Sequence, residues 1–241
     1  MTIIDDSEQI SDFADLGVLA FTTTRHVGTF GMMGPEPVSE VMGLWATLRR
    51  ELYEMSPRLA TGGQVHGNHV LAHTGYWDGW LRGGEADGHF APNRGTAMAV
   101  TVADCVPVFI AHPSGATQIL HSGWRGTVAN ILKVGLTMMK AAGHSLADAR
   151  IHLGPAICGK CNEVSPDVYE QLTGKNPGKP TTVDLREILA SQARGMGVER
   201  ITTSAFCTKC NNDRFFSHRA GDRGRQLGVI VAERLSSLHS G

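Results

Sequence analysis

The sequence predicts an α+β fold: a single compact domain over residues 1–241, with mixed β-sheets flanked by helices. Three observations lead there. Strand-like runs rich in β-branched and aromatic residues interleave with amphipathic helical patterns, but without steady βαβ alternation. Two runs, AMAVTVADC (97–105) and VPVFIAH (106–112), are apolar almost throughout, as in strands buried on both faces. Twenty-nine glycines point to tight turns rather than long helices, and no stretch reads as a linker between two domains.

The elements follow in order. VLAFTTT (18–24) reads as an early strand and residues 30–38 as loop. A helix is expected from Ser39, which can cap it, because Val41, Leu44, Trp45, Leu48 and Leu52 recur on one face. GGQVHGNHVLAH (62–73) resembles a strand interrupted by Gly67, and the glycine-rich stretch 75–95 reads as loop. Pro113, Ser114 and Gly115 turn the chain between VPVFIAH and TQILHS (117–122). A helix is expected from Thr127, with Val128, Ile131, Leu132 and Met139 on one side. IHLGP (151–155) is a short strand, Ser165-Pro166 a cap and first-turn proline, and Asp184 the start of another helix. ERITTSAF (199–206), the loop FFSHRAGDRGR (215–225) and the apolar stretch LGVIVAERL (227–235) complete the chain.

Composition excludes several classes. The formal net charge is −1, so no global field favours nucleic acid or an anionic membrane. No apolar run approaches the roughly 18 residues that span a bilayer. The start MTIIDDSEQI has neither the basic nor the apolar region of a signal peptide, so a soluble, cytoplasmic protein is expected. Five cysteines, an odd number, favour reduced thiols for metal or catalysis over disulfides.

His66, Cys105 and His121 each lie at or near the end of an apolar run, so neighbouring strand ends could bring them to one rim. Two imidazoles and a thiolate suit zinc with an open fourth position. The spacings of 39 and 16 residues match no short zinc signature, so buried polar core residues remain the alternative. Cys105 could equally be a nucleophile beside a histidine, with Asp104 orienting that histidine. Arg125, in Gly-Trp-Arg-Gly at an expected helix start, either helps hold an anion or packs on Trp124. Cys158-X-X-Cys161 and Cys207-X-X-Cys210 form a paired CxxC constellation. It is a candidate second, structural metal site, with free thiols or a redox pair as alternatives. Asn162 and Asn211 follow the second cysteines and tolerate the left-handed turn of a zinc knuckle.

Taken together, the stretches AFTTTRHVG (20–28), QVHG (64–67), ADG (86–88), TVADCVPV (101–108), HSGWRG (121–126), LGPAICGKCNEV (153–164) and CTKCNNDRFFSHRAGDRGR (207–225) resemble the YfiH family. Its members are also called laccase-domain, multicopper polyphenol oxidase-like or peptidoglycan-editing-factor proteins. The ordered matches cover most of the chain. The resemblance implies a compact sandwich fold with similarity to cysteine-hydrolase toxins. It places a metal on His66, Cys105 and His121, and the metal implied is zinc rather than copper. It also implies a purine nucleoside phosphorylase and adenosine deaminase: phosphorolysis of adenosine, inosine or methylthioadenosine, and deamination of adenosine. Asp104, Arg125 and Cys105 are then the candidate catalytic residues, and Arg25, Arg125 and Glu163 the candidate substrate-binding ones. The partners expected are a nucleoside and phosphate, with no nucleic acid and no membrane, in a monomer or homodimer.

Other functions within reach of the same resemblance are an amidase that edits cell-wall precursors, a laccase-like copper oxidase and a non-catalytic zinc-stabilised partner protein. Two stretches depart from the family pattern. Its R-x-G-G-V-S loop reads Arg25-His26-Val27-Gly28-Thr29-Phe30 here, and its adjacent cysteine pair reads Cys161-Asn162. Cys158 and Cys210 are additions to that pattern.

Overall fold

The computed structural model describes residues 2–32 and 34–234. From its N-terminal side the chain forms β1 (Ser7–Gln9), a 3-10 turn (Ser11–Leu16), β2 (Val18–Thr23), α1 (Val38–Leu52), β3 (Arg58–Gly63) and β4 (Val70–Ala72). Next come β5 (Gly79–Glu85), β6 (Gly88–Ala91), β7 (Ala97–Val102), β8 (Val106–Ala111) and β9 (Thr117–Ser122). They are followed by α2 (Trp124–Val128), α3 (Ile131–Ala141), β10 (Arg150–Leu153), β11 (Glu163–Val164) and α4 (Pro166–Thr173). β12 (Thr181–Thr182), α5 (Leu185–Gly195), β13 (Arg200–Thr203) and β14 (Gln226–Ala232) follow.

Two six-stranded sheets result, ordered β1-β2-β14-β7-β3-β5 and β13-β10-β8-β9-β6-β4, with β11–β12 a separate pair. Most neighbours are antiparallel; β3 runs parallel to β5 and β7, β10 to β13, and β4 to β6. Alternation along each strand explains the continuous apolar runs. Met98, Val100 and Val102 of β7 and Ile230 of β14 meet Phe109 of β8 and Ile119 of β9 between the sheets. Their strand neighbours Ala97, Ala99, Val229 and Val231 face the other way, onto Val41, Trp45, Leu48 and Leu52 of α1. Val106, Val108, Ile110 and Leu120 pack outward on Ile131, Leu132, Leu136, Leu185 and Leu189 of α3 and α5. The layering is helix, sheet, sheet, helices. Each fully buried aliphatic or aromatic side chain contributes about 1.5–3 kcal/mol of transfer free energy. Among the described residues no helix is long and apolar enough to cross a membrane.

Several expected boundaries shift. α1 begins at Val38, and Ser39 makes no capping bond; the Pro37 carbonyl receives the Glu40 and Val41 N–H groups instead. The helix expected from Thr127 is two helices, broken where Asn130 takes a left-handed φ of 59°. The stretch 75–95 holds β5 and β6 rather than loop alone. Around Gly67, residues 64–69 form a corner between β3 and β4 rather than an interrupted strand. Ser165 and Asp184 do cap their helices, accepting from Val168 N–H and Arg186 N–H.

One topological feature positions the site. Three times the chain leaves the first sheet and enters the second: β3 to β4, β5 to β6 and β7 to β8. The residues at these corners are His66, Asp87, and Asp104 with Cys105. Such turns demand unusual backbone, and His66 (φ 61°) and Asp104 (φ 79°) both adopt left-handed conformations that few non-glycine residues take.

Candidate metal centre

The three corners and the end of β9 bring His66, Cys105 and His121 together, with their donor atoms within 4.8 Å of one another. The two imidazole rings meet edge-on, centroids 4.8 Å apart at 76°. His121 is buried, Cys105 partly so, and His66 exposed, so the cluster opens to solvent on the His66 side. Gly123 passes beside the cluster: a Cβ there would lie 2.9 Å from the Cys105 sulfur and 3.4 Å from a His66 ring carbon. Only glycine lets the chain pass so close.

Asp87 organises the cluster. It is fully buried, and its carboxylate accepts from the backbone N–H groups of Val65 (3.1 Å), His66 (2.9 Å) and Gly67 (2.7 Å). It also accepts from His121 Nδ1 at 2.8 Å, while the Asp87 carbonyl receives the His121 N–H. Against the Asp87 carboxylate this ring nitrogen carries a proton, so Nε2 is the atom that would ligate a metal. Gln64 anchors the corner from the other side, bonding Thr101 through both its amide oxygen and its amide nitrogen.

Electrostatics pair a Cys105 thiolate with a charged His121. Burial by itself raises the Cys105 thiol, but attraction to His121 and bonds from His121 and His66 outweigh it and bring it to about 6. Burial likewise opposes charge on His121, yet the Cys105 thiolate and Asp87 raise it to about 9. Desolvation also opposes ionisation of Asp87, and the bonds from His121, Gly67 and Val65 hold its carboxyl below the usual range. A thiolate and two imidazoles, one oriented by a buried carboxylate, fit a soft to borderline divalent metal with one position open.

Other residues singled out in the sequence fall differently. Asp104 does not orient a histidine: its carboxylate accepts from the Thr208 hydroxyl (2.6 Å) and the Arg219 N–H (2.7 Å), tying the Cys105 corner to the 206–220 segment. Arg125 is exposed and lies over the Trp124 ring at 4.3 Å, on a helix too short to present an anion site. Arg25 is paired with Asp222 at 3.4 Å and with the Asn212 carbonyl, and it sits over Phe216. Glu163 is exposed, and its backbone carbonyl receives Arg219 at 2.9 Å. A groove of about 510 Å³ beside α1, lined by Val27, Gly28, Leu44 and Phe216, includes none of the three donors. Asp87 belongs to the Ala-Asp-Gly stretch (86–88) that carries the family resemblance, yet local sequence assigns it no role, because an aspartate before a glycine reads as an ordinary turn.

Two sheets packed face to face between helices, with a histidine–cysteine cluster at the corners where strands change sheet, define an α+β sandwich with a candidate metal centre. The chain belongs to the family described as multi-copper polyphenol oxidoreductase laccase, whose family model matches residues 36–233. Purine nucleoside phosphorylase ORF3 of Streptomyces griseus is 32% identical over 69% of this chain and 71% of its own. A purine nucleoside phosphorylase of Deinococcus radiodurans is 31% identical over 83% of this chain and 79% of its own. Among solved structures, YlmD from Geobacillus stearothermophilus superposes with a TM-score of 0.80 at 26% identity, covering 90% of this chain and 93% of that one. The Bacillus licheniformis hypothetical protein YfiH gives 0.83 at 22% identity, covering 95% and 97%.

Proposed function

We propose that this chain is a zinc-dependent purine nucleoside phosphorylase that also deaminates adenosine, with adenosine, inosine and methylthioadenosine as substrates. The observation that carries the reading is the Asp87–His121 pair behind an open His66–Cys105–His121 cluster. The names of the curated relatives support the substrate class. Zinc is favoured over copper by the donor set and its surroundings. Four other histidines meet in pairs, His73 with His89 and His112 with His144, while His69 bonds the Glu85 carbonyl and His152 the Thr202 hydroxyl; among the described residues they form no third cluster of donors. An oxidase that stores several electrons needs more than one such copper centre.

Zinc held by His66, Cys105 and His121 would supply Lewis acidity. The chain's own residues do the rest. Asp87 holds the His121 Nδ1 proton and keeps the ring from turning. The Thr208 hydroxyl and the Arg219 N–H hold Asp104, and so the Cys105 corner, in its strained conformation. Exposed His66 marks the side from which a nucleoside and phosphate arrive. Phosphorolysis breaks the bond from the ribose anomeric carbon to the base and forms one to a phosphate oxygen. Deamination replaces the adenine amino group with a water oxygen and releases ammonia.

Incubation with adenosine and phosphate is expected to yield adenine and ribose 1-phosphate, with some inosine, as read by chromatography. His121→Ala should abolish both reactions. Turnover that survives this change removes the cluster from the mechanism. Release of an amino acid from a cell-wall precursor, indifferent to phosphate, would instead identify an amidase.

A further inference from the structure

The two CxxC pairs, far apart in sequence, converge. Cys158, Cys161, Cys207 and Cys210 place their four sulfurs within 4.8 Å of one another, and Cys161 Sγ lies 3.5 Å from Cys210 Sγ. Tetrahedral ligands with Zn–S bonds of about 2.3 Å stand roughly 3.8 Å apart, so the cluster has the dimensions of a tetrathiolate shell. The Cys207 sulfur already accepts backbone N–H groups from Cys158 (3.3 Å) and Cys210 (3.4 Å), an arrangement that favours a thiolate over a thiol or a disulfide sulfur. Each pair carries a lysine at its third position, Cys-Gly-Lys160-Cys and Cys-Thr-Lys209-Cys, and both lysines are exposed.

The fold gives this node a task. Between β13 and β14 the chain runs through residues 204–225 with one short 3-10 turn, an irregular length that a compact protein seldom leaves unsupported. Its first part is held to residues 156–158 by the Ala156–Cys207 bridge and by the Thr208 N–H to the Ala156 carbonyl (3.1 Å). Thr208, inside the second CxxC pair, donates its hydroxyl to Asp104, the neighbour of Cys105. We propose that Cys158, Cys161, Cys207 and Cys210 bind a structural zinc ion, distinct from the one at His66–Cys105–His121, which staples these two loops and thereby fixes the Asp104 corner. Four ligands and no open position make it a structural rather than a reactive site.

Zinc analysis and zinc-edge X-ray absorption of the purified full-length protein test this without any variant. The expected result is two zinc ions per chain, with an average shell dominated by sulfur at about 2.3 Å. One zinc per chain in a nitrogen-rich shell overturns the proposal, as does a Cys161–Cys210 disulfide found by thiol counting under denaturing conditions. Cys161→Ser with Cys210→Ser should then lower the count by one, reduce Tm, and leave the His66–Cys105–His121 zinc in place. His66→Ala with Cys105→Ser should remove the other ion and leave the sulfur-only shell. One zinc in an all-sulfur shell would uphold this site while overturning the zinc dependence proposed for the reaction. The two readings therefore fail separately.

Discussion

The corner cluster and the cysteine node use similar atoms for opposite purposes. At the corner, three donors come from three separate segments, one of them exposed, and a buried carboxylate sets the ring of another. At the node, four sulfurs come from two loop turns, and backbone N–H groups rather than a carboxylate support them. A metal at the first would keep a position free; one at the second would have all four filled. Strand corners hold a few side chains rigidly and leave space between them, as reactive chemistry requires. Irregular loops have little packing of their own, and a closed ligand shell would supply what packing does not.

This contrast can be broken or sharpened experimentally. The largest effect expected is from acid. Burial drives His73 down to about 4; burial, then the neighbouring His73, takes His89 to about 3. Both lie below the unfolded value near 6.5, so as pH falls the unfolded chain takes up protons first. Stability is complete above about 6.5 and falls by about 1.4 kcal/mol per histidine for each pH unit down to about 4. His89 lies on β6, two residues from Asp87, whereas no histidine belongs to the node's sulfur cluster. Acid should therefore weaken the corner side first, and replacing both His73 and His89 with Gln should flatten stability against pH in denaturant titrations.

Asp87→Asn comes next. It keeps the shape but removes the charge that orients His121, and zinc affinity at the corner should fall about 10–100-fold, with phosphorolysis following it. Metal competition assays would read this, and the node should keep its ion. Gly123→Ala adds a methyl 2.9 Å from the Cys105 sulfur. Overpacking of this kind costs about 1–3 kcal/mol, expected as a loss of roughly tenfold in corner zinc affinity with the fold intact by circular dichroism. Arg125→Ala is the smallest: its stacking on Trp124 contributes about 0.5–1 kcal/mol. A rise in KM for phosphate beyond that would show that Arg125 leaves Trp124 to meet substrate.

Much of the fold was legible because burial on both faces writes itself into composition. The runs that became β7, β8 and β14 are apolar in both alternating sets, and Ser165 and Asp184 cap where local chemistry demands. β5 and β6 were hidden because Gly79, Gly83, Gly84 and Gly88 erase strand propensity. Two of these glycines leave room for neighbours distant in sequence: a Cβ at Gly83 would lie 2.6 Å from the end of the Leu71 side chain, and one at Gly88 2.6 Å from that of Leu120. The expected left-handed turns at Asn162 and Asn211 do not occur. Asn162 bonds the Val183 carbonyl (3.1 Å), and Asn211 accepts the Cys207 N–H (3.3 Å), bonds set by packing rather than by local preference.

By itself, the sequence determined which residue types could hold metal, two histidines with a cysteine and two CxxC pairs, because ligand chemistry belongs to the side chain. Only the tertiary structure decided that Asp87, not Asp104, serves His121, and that Asp104 braces the corner against Thr208 and Arg219. Both are aspartates at sheet-to-sheet turns, and nothing local distinguishes them. What separates them is which N–H groups the packed sheets place within hydrogen-bond reach, and that depends on contacts across the whole chain.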